Sequence, residues 1–151
     1  MKLFLLAVGK AKGSPEQALF EHYAKRLPWP LQAIEVEEKR PLQGIERKQR
    51  EAELLLAKLP KNAFVAALDP KGEPLSSEGF AAKLSKWQEL GRDLVFLIGG
   101  AEGLGEAILG KAEAKFSLGP MIWPHLLVRT LLAEQLFRAH SILTHHPYHR
   151  G

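Results

Sequence analysis

Asp93-Leu-Val-Phe-Leu-Ile98, followed by Gly99-Gly-Ala-Glu-Gly-Leu-Gly105, is the stretch on which the fold turns. Leu94 to Ile98 is an unbroken apolar run that glycines end. Such a run, bounded by turn residues, suits a strand buried on both faces of a parallel sheet. Lys2 to Val8 and Ala63 to Leu68 carry similar runs upstream, Leu31 to Val36 reads as a second strand, and Lys115 to Ser117 is a last short strand downstream. Asp69-Pro-Lys-Gly72 is a turn signal that is expected to stop the third strand.

Helical segments fill the intervals. Ser14 is an N-cap, Pro15 fits the first helical position and Gln17 completes a capping box, predicting a helix to about Leu27, where Pro28-Trp29-Pro30 stops it. Ile45 to Leu59 forms the next helix, with Arg47, Lys48 and Arg50 on one turn. Ser76 or Ser77 caps a third, in which Phe80, Leu84 and Trp87 share a face before Gly91. A short helix runs to about Ala112, and a long one from Pro124 through Ile142. The alternation predicts an α/β fold, with a mostly parallel sheet flanked by helices, in one domain over residues 1–151.

Composition narrows the function. The chain has 151 residues, a net charge of +4 and no cysteine, which excludes disulfide frameworks, thiolate catalysis and zinc fingers. The apolar run after Lys2 is too short for a signal peptide, and no run approaches the ~20 residues needed to span a bilayer, so a cytoplasmic location without membrane contact is expected. After Glu134 there is no acid, while Arg138, Arg150 and four of the six histidines lie there. Such an end either meets an anionic partner or is a solvated tail.

Ligands of open α/β sheets bind beyond the carboxyl ends of the strands. Leu68-Asp69, Gly99 to Gly105 and Leu118 to Trp123 occupy that edge. Gly99 and Gly100 let backbone approach a ligand closely or simply make a tight turn. Dinucleotide, Walker and nucleophile-elbow motifs are absent. Leu118-Gly119-Pro120-Met121-Ile122-Trp123 is apolar yet rich in turn residues: a wall for a flat ligand, or a loop packed at an interface. Arg129, among leucines, is either a buried ion pair or an anion contact. Glu134 and Arg138 are spaced to pair with each other. His145 and His149 have helical metal-ligand spacing, but Pro147 breaks the helix between them, so no metal is expected. Tyr148, His149 and Arg150 suit base stacking and phosphate.

Four segments in order carry a resemblance: Phe96 to Leu104, Ser117 to His125, the helix Arg129…Glu134-Gln-Leu-Phe-Arg-Ala139, and Pro147-Tyr-His-Arg150. Together they resemble the SPOUT methyltransferases and, among these, the family of ribosomal RNA large subunit methyltransferase H. The resemblance implies a minimal SPOUT domain with a C-terminal trefoil knot. It implies an enzyme that uses S-adenosyl-L-methionine to methylate N3 of a pseudouridine in 23S rRNA, acting as a homodimer on the assembled ribosome. Cofactor contacts would fall on Leu68, Gly99, Gly100, Leu118, Gly119, Pro120, Met121, Ile122 and Trp123. Catalysis would rest on His125 or His149 as base or ring-orienting group and on Arg129 or Arg138 for charge, with Tyr148, His149 and Arg150 on RNA. The competing reading is a ribosome- or RNA-binding α/β module without catalysis.

Overall fold

A computed structural model describes residues 1–151. Five strands form one parallel sheet: β1 (Leu3–Val8), β2 (Leu31–Val36), β3 (Phe64–Pro74), β4 (Leu94–Ile98) and β5 (Ala114–Ser117), in the order β2-β1-β4-β3-β5. Five helices connect or follow them: α1 (Pro15–Ala24), α2 (Gly44–Lys58), α3 (Ser77–Glu89), α4 (Glu106–Leu109) and α5 (His125–Leu143).

The inner strands β1 and β4 are apolar on both faces because helices cover both faces, whereas the edge strand β2 is partly exposed. Leu3, Leu5, Ala7, Phe96 and Ile98 point into one core with residues of α1, α3 and α5. Leu6, Val8, Val65, Val95 and Leu97 point into the other, against α2 and α4. The predicted face of α3 is buried as expected, with Phe80, Leu84 and Trp87 all inside. Aromatic rings dominate that core: Phe116 stacks on Phe80 at 5.3 Å and lies 6.2 Å from Trp87.

One expectation from the sequence fails informatively. Asp69-Pro-Lys-Gly72 does turn, with Lys71 N–H bound to Asp69 Oδ1 at 3.1 Å, but it does not stop β3. Leu68 and Glu73 both sit opposite Phe116, and Pro74 then pairs with Ser117. The turn is therefore a bulge inside the strand, where Pro70 costs no ladder hydrogen bond. Gly72 has to be glycine there, because a Cβ would lie 2.6 Å from the Phe116 nitrogen.

Smaller differences have local causes. α1 ends at Ala24, and Lys25 to Leu27 tighten into turns before Pro28. The capping box at its start is half made: Ser14 Oγ accepts the Gln17 N–H at 3.1 Å, but the Gln17 side chain reaches forward to Glu21. α5 ends in a Schellman motif, with His146 N–H on Ser141 O and His145 N–H on Ile142 O. His145 takes the left-handed position, at φ 58°, that glycine usually fills.

The Phe116 ring ties β5 to α3 and the sheet. Phe116→Ala is expected to lower unfolding free energy by roughly 3–5 kcal/mol, as buried Phe truncations do. Phe116→Leu is expected to lose well under half of that. Urea denaturation followed by tryptophan fluorescence measures both.

Candidate functional site

Because all five strands run the same way, their carboxyl ends share one edge. Register fixes the neighbours there: Leu68 lies beside both Ile98 and Phe116. The three segments singled out in the sequence, at Leu68, Gly99–Gly105 and Leu118–Trp123, are thus side by side.

The segment after β5 is exposed and underbonded. Met121 is 71% and Ile122 91% exposed. Gly119 holds φ 105° with open space where a Cβ would be. Its N–H donates to Ser117 Oγ at 3.3 Å, whereas the amides of Leu118, Met121, Ile122 and Trp123 have no partner within the chain. Apolar side chains beside free amides make a surface able to receive a flat heteroaromatic group and hydrogen-bond its edge. Next to it a cleft of about 160 Å³ is lined by Leu75, Ser77, Phe116, Leu118, Leu132 and Gln135. That volume takes one end of a nucleoside-sized ligand, since whole-ligand pockets span roughly 300–1,000 Å³.

α5 starts where this loop ends. His125, its first residue, packs its ring against Gly9, at the end of β1. A Cβ on Gly9 would lie 2.8 Å from His125 Cε1, and Gly9 sits at φ 101°. His125 Nδ1 is buried without a hydrogen-bond partner. Burial first, then the Arg129 charge, push the imidazole below its ordinary range, so it is neutral near pH 7.

One turn further on, Arg129 is only 2% exposed. It donates Nη1 to Glu35 Oε2 and Nη2 to the carbonyls of Val8 (3.2 Å) and Gly9 (3.0 Å). Glu35 also accepts the Ala11 N–H at 2.9 Å. Burial raises the Glu35 carboxyl, but the hydrogen bonds from Arg129 and Ala11 and the guanidinium charge outweigh it and hold it below the usual range. Of the two sequence readings of Arg129, the structure gives the buried ion pair.

The other expected residues form a second cluster, at the far end of α5. Glu134 receives Arg138 Nε (2.9 Å), Arg138 Nη2 (2.6 Å) and the Tyr148 hydroxyl (3.0 Å). His149 bridges Arg138 Nη1 at 3.0 Å and Glu78 Oε1 at 2.8 Å. Tyr148 packs edge-on to Phe137 at 4.7 Å, with Arg138 over its ring at 4.9 Å. The tail is folded back on the helix, while Arg150 stays exposed. His125 and Arg138 are separated by about 20 Å of helix, at 1.5 Å per residue, so one chain does not bring the two clusters together.

The turn of Arg47, Lys48 and Arg50 is less available to RNA than its charge implies. Arg47 spends its donors on Leu42 O, Arg40 O and Glu38 O, and Arg50 pairs with Glu38 and Glu53. Glu38, held by hydrogen bonds from Arg40 and Arg50, falls to about 2. No group of three His, Asp or Glu side chains is placed to hold a metal ion, and no helix is long and apolar enough to cross a membrane. Sequence reading missed Glu35, because its partner is 94 residues away and only a charge inside an apolar strand hinted at it.

Comparison with known proteins agrees with this geometry. A family model described as a predicted SPOUT methyltransferase matches residues 1–149. A protein of Paramagnetospirillum magneticum named ribosomal RNA large subunit methyltransferase H is 58% identical over 151 residues, covering 99% of both chains. The protein of that name from Rhodospirillum rubrum is 57% identical, with each chain fully covered. A solved structure of a probable methylase family protein from Haemophilus influenzae is similar in fold, with a TM-score of 0.58 at 10% identity, over 99% of this chain and 70% of the other.

Glu35→Ala is expected to destabilise the protein by about 3–5 kcal/mol, the cost of leaving the buried Arg129 guanidinium without its carboxylate. Glu35→Gln tests the sign. The Glu35 carboxyl is held low, so its stabilisation is present above the unfolded carboxyl range and lost as pH falls through the lowered value. The stability gap between Glu35→Gln and the wild type should therefore be open at pH 7 and close on acidification, as read by urea titrations at both pH values.

Proposed function

The chain belongs to the SPOUT methyltransferase family, among the ribosomal RNA large subunit methyltransferases H, and from that premise we propose that it methylates N3 of a pseudouridine in 23S rRNA on the assembled ribosome, using S-adenosyl-L-methionine. The observation that carries this reading is the register that sets Leu68, Gly99 and Leu118 side by side, with the free amides of Leu118 and Met121 to Trp123 next to them.

The cofactor, when bound, supplies a methyl group on an electrophilic sulfonium. Leu68, Gly99, Gly100, Leu118, Gly119, Pro120, Met121, Ile122 and Trp123 would hold it, the amides reading its base and the apolar side chains covering its face. The protein's remaining tasks are alignment and removal of a weakly acidic ring proton. His125 is suited to accept that proton: burial and the Arg129 charge hold its ring neutral, and it lies at the end of the cofactor loop. Arg129 holds Gly9, against which His125 rests. In the tail, Tyr148, His149 and Arg150 would grip RNA. When His149 leaves Arg138, Nη1 of that guanidinium becomes available to charge on a ring oxygen.

The ~20 Å between the His125 and Arg138 clusters supports a homodimer in which the tail of one copy serves the loop of the other. The C-terminal trefoil knot belongs to the same reading. It is supported by the return of the chain from the edge strand β5 to β1, where Arg129 is fixed. A cytoplasmic location follows from a ribosomal substrate.

Transfer of tritiated methyl groups to ribosomes lacking the modification is the direct test. An RNA-binding module without catalysis would bind the particle and transfer nothing. His125→Ala is expected to lower kcat by about 10²–10⁴-fold, the usual contribution of a positioned general base. His149→Ala should instead raise KM for the ribosome. If His125→Ala keeps the full rate, the proton acceptor lies elsewhere.

A further inference from the structure

Beneath the glycine loop lies a carboxyl that the methyl transfer described above leaves unused. Glu51, on α2, is only 4% exposed. Arg47 Nη1 reaches its Oε2 at 3.4 Å, whereas Oε1 has no hydrogen-bond partner. Burial of a carboxyl with one oxygen unpaired is costly, and an apolar residue of the same size would avoid that cost. The carboxyl lies against the loop itself: a Cβ on Gly100 would be 3.2 Å from Oε1, 3.4 Å from Oε2 and 3.0 Å from Val8 Cγ1.

The loop above is short of internal bonds. Gly103 N–H to Gly100 O, at 3.0 Å, closes it in an antiparallel bridge between those two residues, and the amides of Gly99, Ala101 and Glu102 have no partner. From below, Arg47 fastens the segment after β2 through the carbonyls of Glu38, Arg40 and Leu42. Arg47 and Glu51 therefore link two loops at the carboxyl edge of the sheet.

We propose that Glu51 is a positioning residue for the cofactor: its carboxyl supports Gly100 from below and holds the Gly99–Gly105 backbone at the height the nucleoside needs. This rests on the methyltransferase reading. It also explains why position 100 carries no side chain, since a methyl group there would press on Val8 and on the carboxyl. Burial pushes the Glu51 carboxyl up, Glu102 and Glu38 add to that, and Arg47 opposes it. A glutamine keeps the size of the side chain and its contact with Gly100, whereas an alanine removes the support.

The test is calorimetric binding of S-adenosylhomocysteine together with amide hydrogen exchange across residues 99–105 in the free protein. The proteins compared are the wild type, Glu51→Gln, Glu51→Ala, Gly100→Ala and the double variant Gly100→Ala with Glu51→Ala. Glu51→Gln should bind close to wild type. Glu51→Ala should bind about tenfold or more weakly, the scale of an outer orienting group, and exchange faster in the loop. Gly100→Ala should also bind weakly, and the double variant should recover part of that loss because its methyl group gains room. Wild-type binding with unchanged affinity and unchanged loop exchange in Glu51→Ala overturns the role of Glu51 and leaves the methyltransferase reading standing. Failure of the wild type to bind overturns that reading, and this proposal with it. Should Glu51→Ala fail to fold, Gly100→Ala decides: full affinity there overturns the proposal.

Discussion

A buried guanidinium anchors the last helix to the first two strands. Arg129 has almost no contact with water, and burying a charge is expensive unless it is paired and hydrogen-bonded. Glu35 at the end of β2 and two carbonyls at the end of β1 satisfy its two terminal nitrogens, while Nε stays buried without a partner. The consequence is positional. β5 leaves the sheet at the edge opposite β2, so α5 has to begin after a crossing of the sheet end. The bond to Val8 and Gly9 sets where that crossing finishes, and so where the apolar loop before it lies.

Each part of the candidate site follows from that placement. The loop from Leu118 to Trp123 is held at its start by the pairing of β5 with β3 and at its finish by α5. Between those points it has few bonds of its own, which leaves amides and apolar surface facing outward. His125 is drawn against Gly9, because the helix turn that carries Arg129 carries His125 with it. The same burial that shelters the ring keeps it uncharged. Arg129 therefore fixes the start of α5, and His125 with it, against the end of β1.

The two ends of α5 answer to different constraints. Its start is buried against the sheet. Its far end gathers Glu134, Arg138, Tyr148 and His149 into a partly exposed network of polar and aromatic contacts. Exposed ion pairs of this kind are worth little individually and exchange partners readily. The tail is thus held to the helix by contacts at the surface rather than by burial in the core.

The order of elements, the two-faced burial of the strands and the three segments at the sheet edge are legible in the sequence. Apolar runs and turn residues report local contrast with water, and a parallel sheet has only one carboxyl edge. The tertiary structure decided the rest. It carried β3 past Gly72, because pairing with Phe116 and Ser117 outweighs a local turn signal. It also joined Glu35 to Arg129 and seated Glu51 under Gly100. These contacts depend on register between strands and helices far apart in the chain, and no periodicity within a single segment encodes that register.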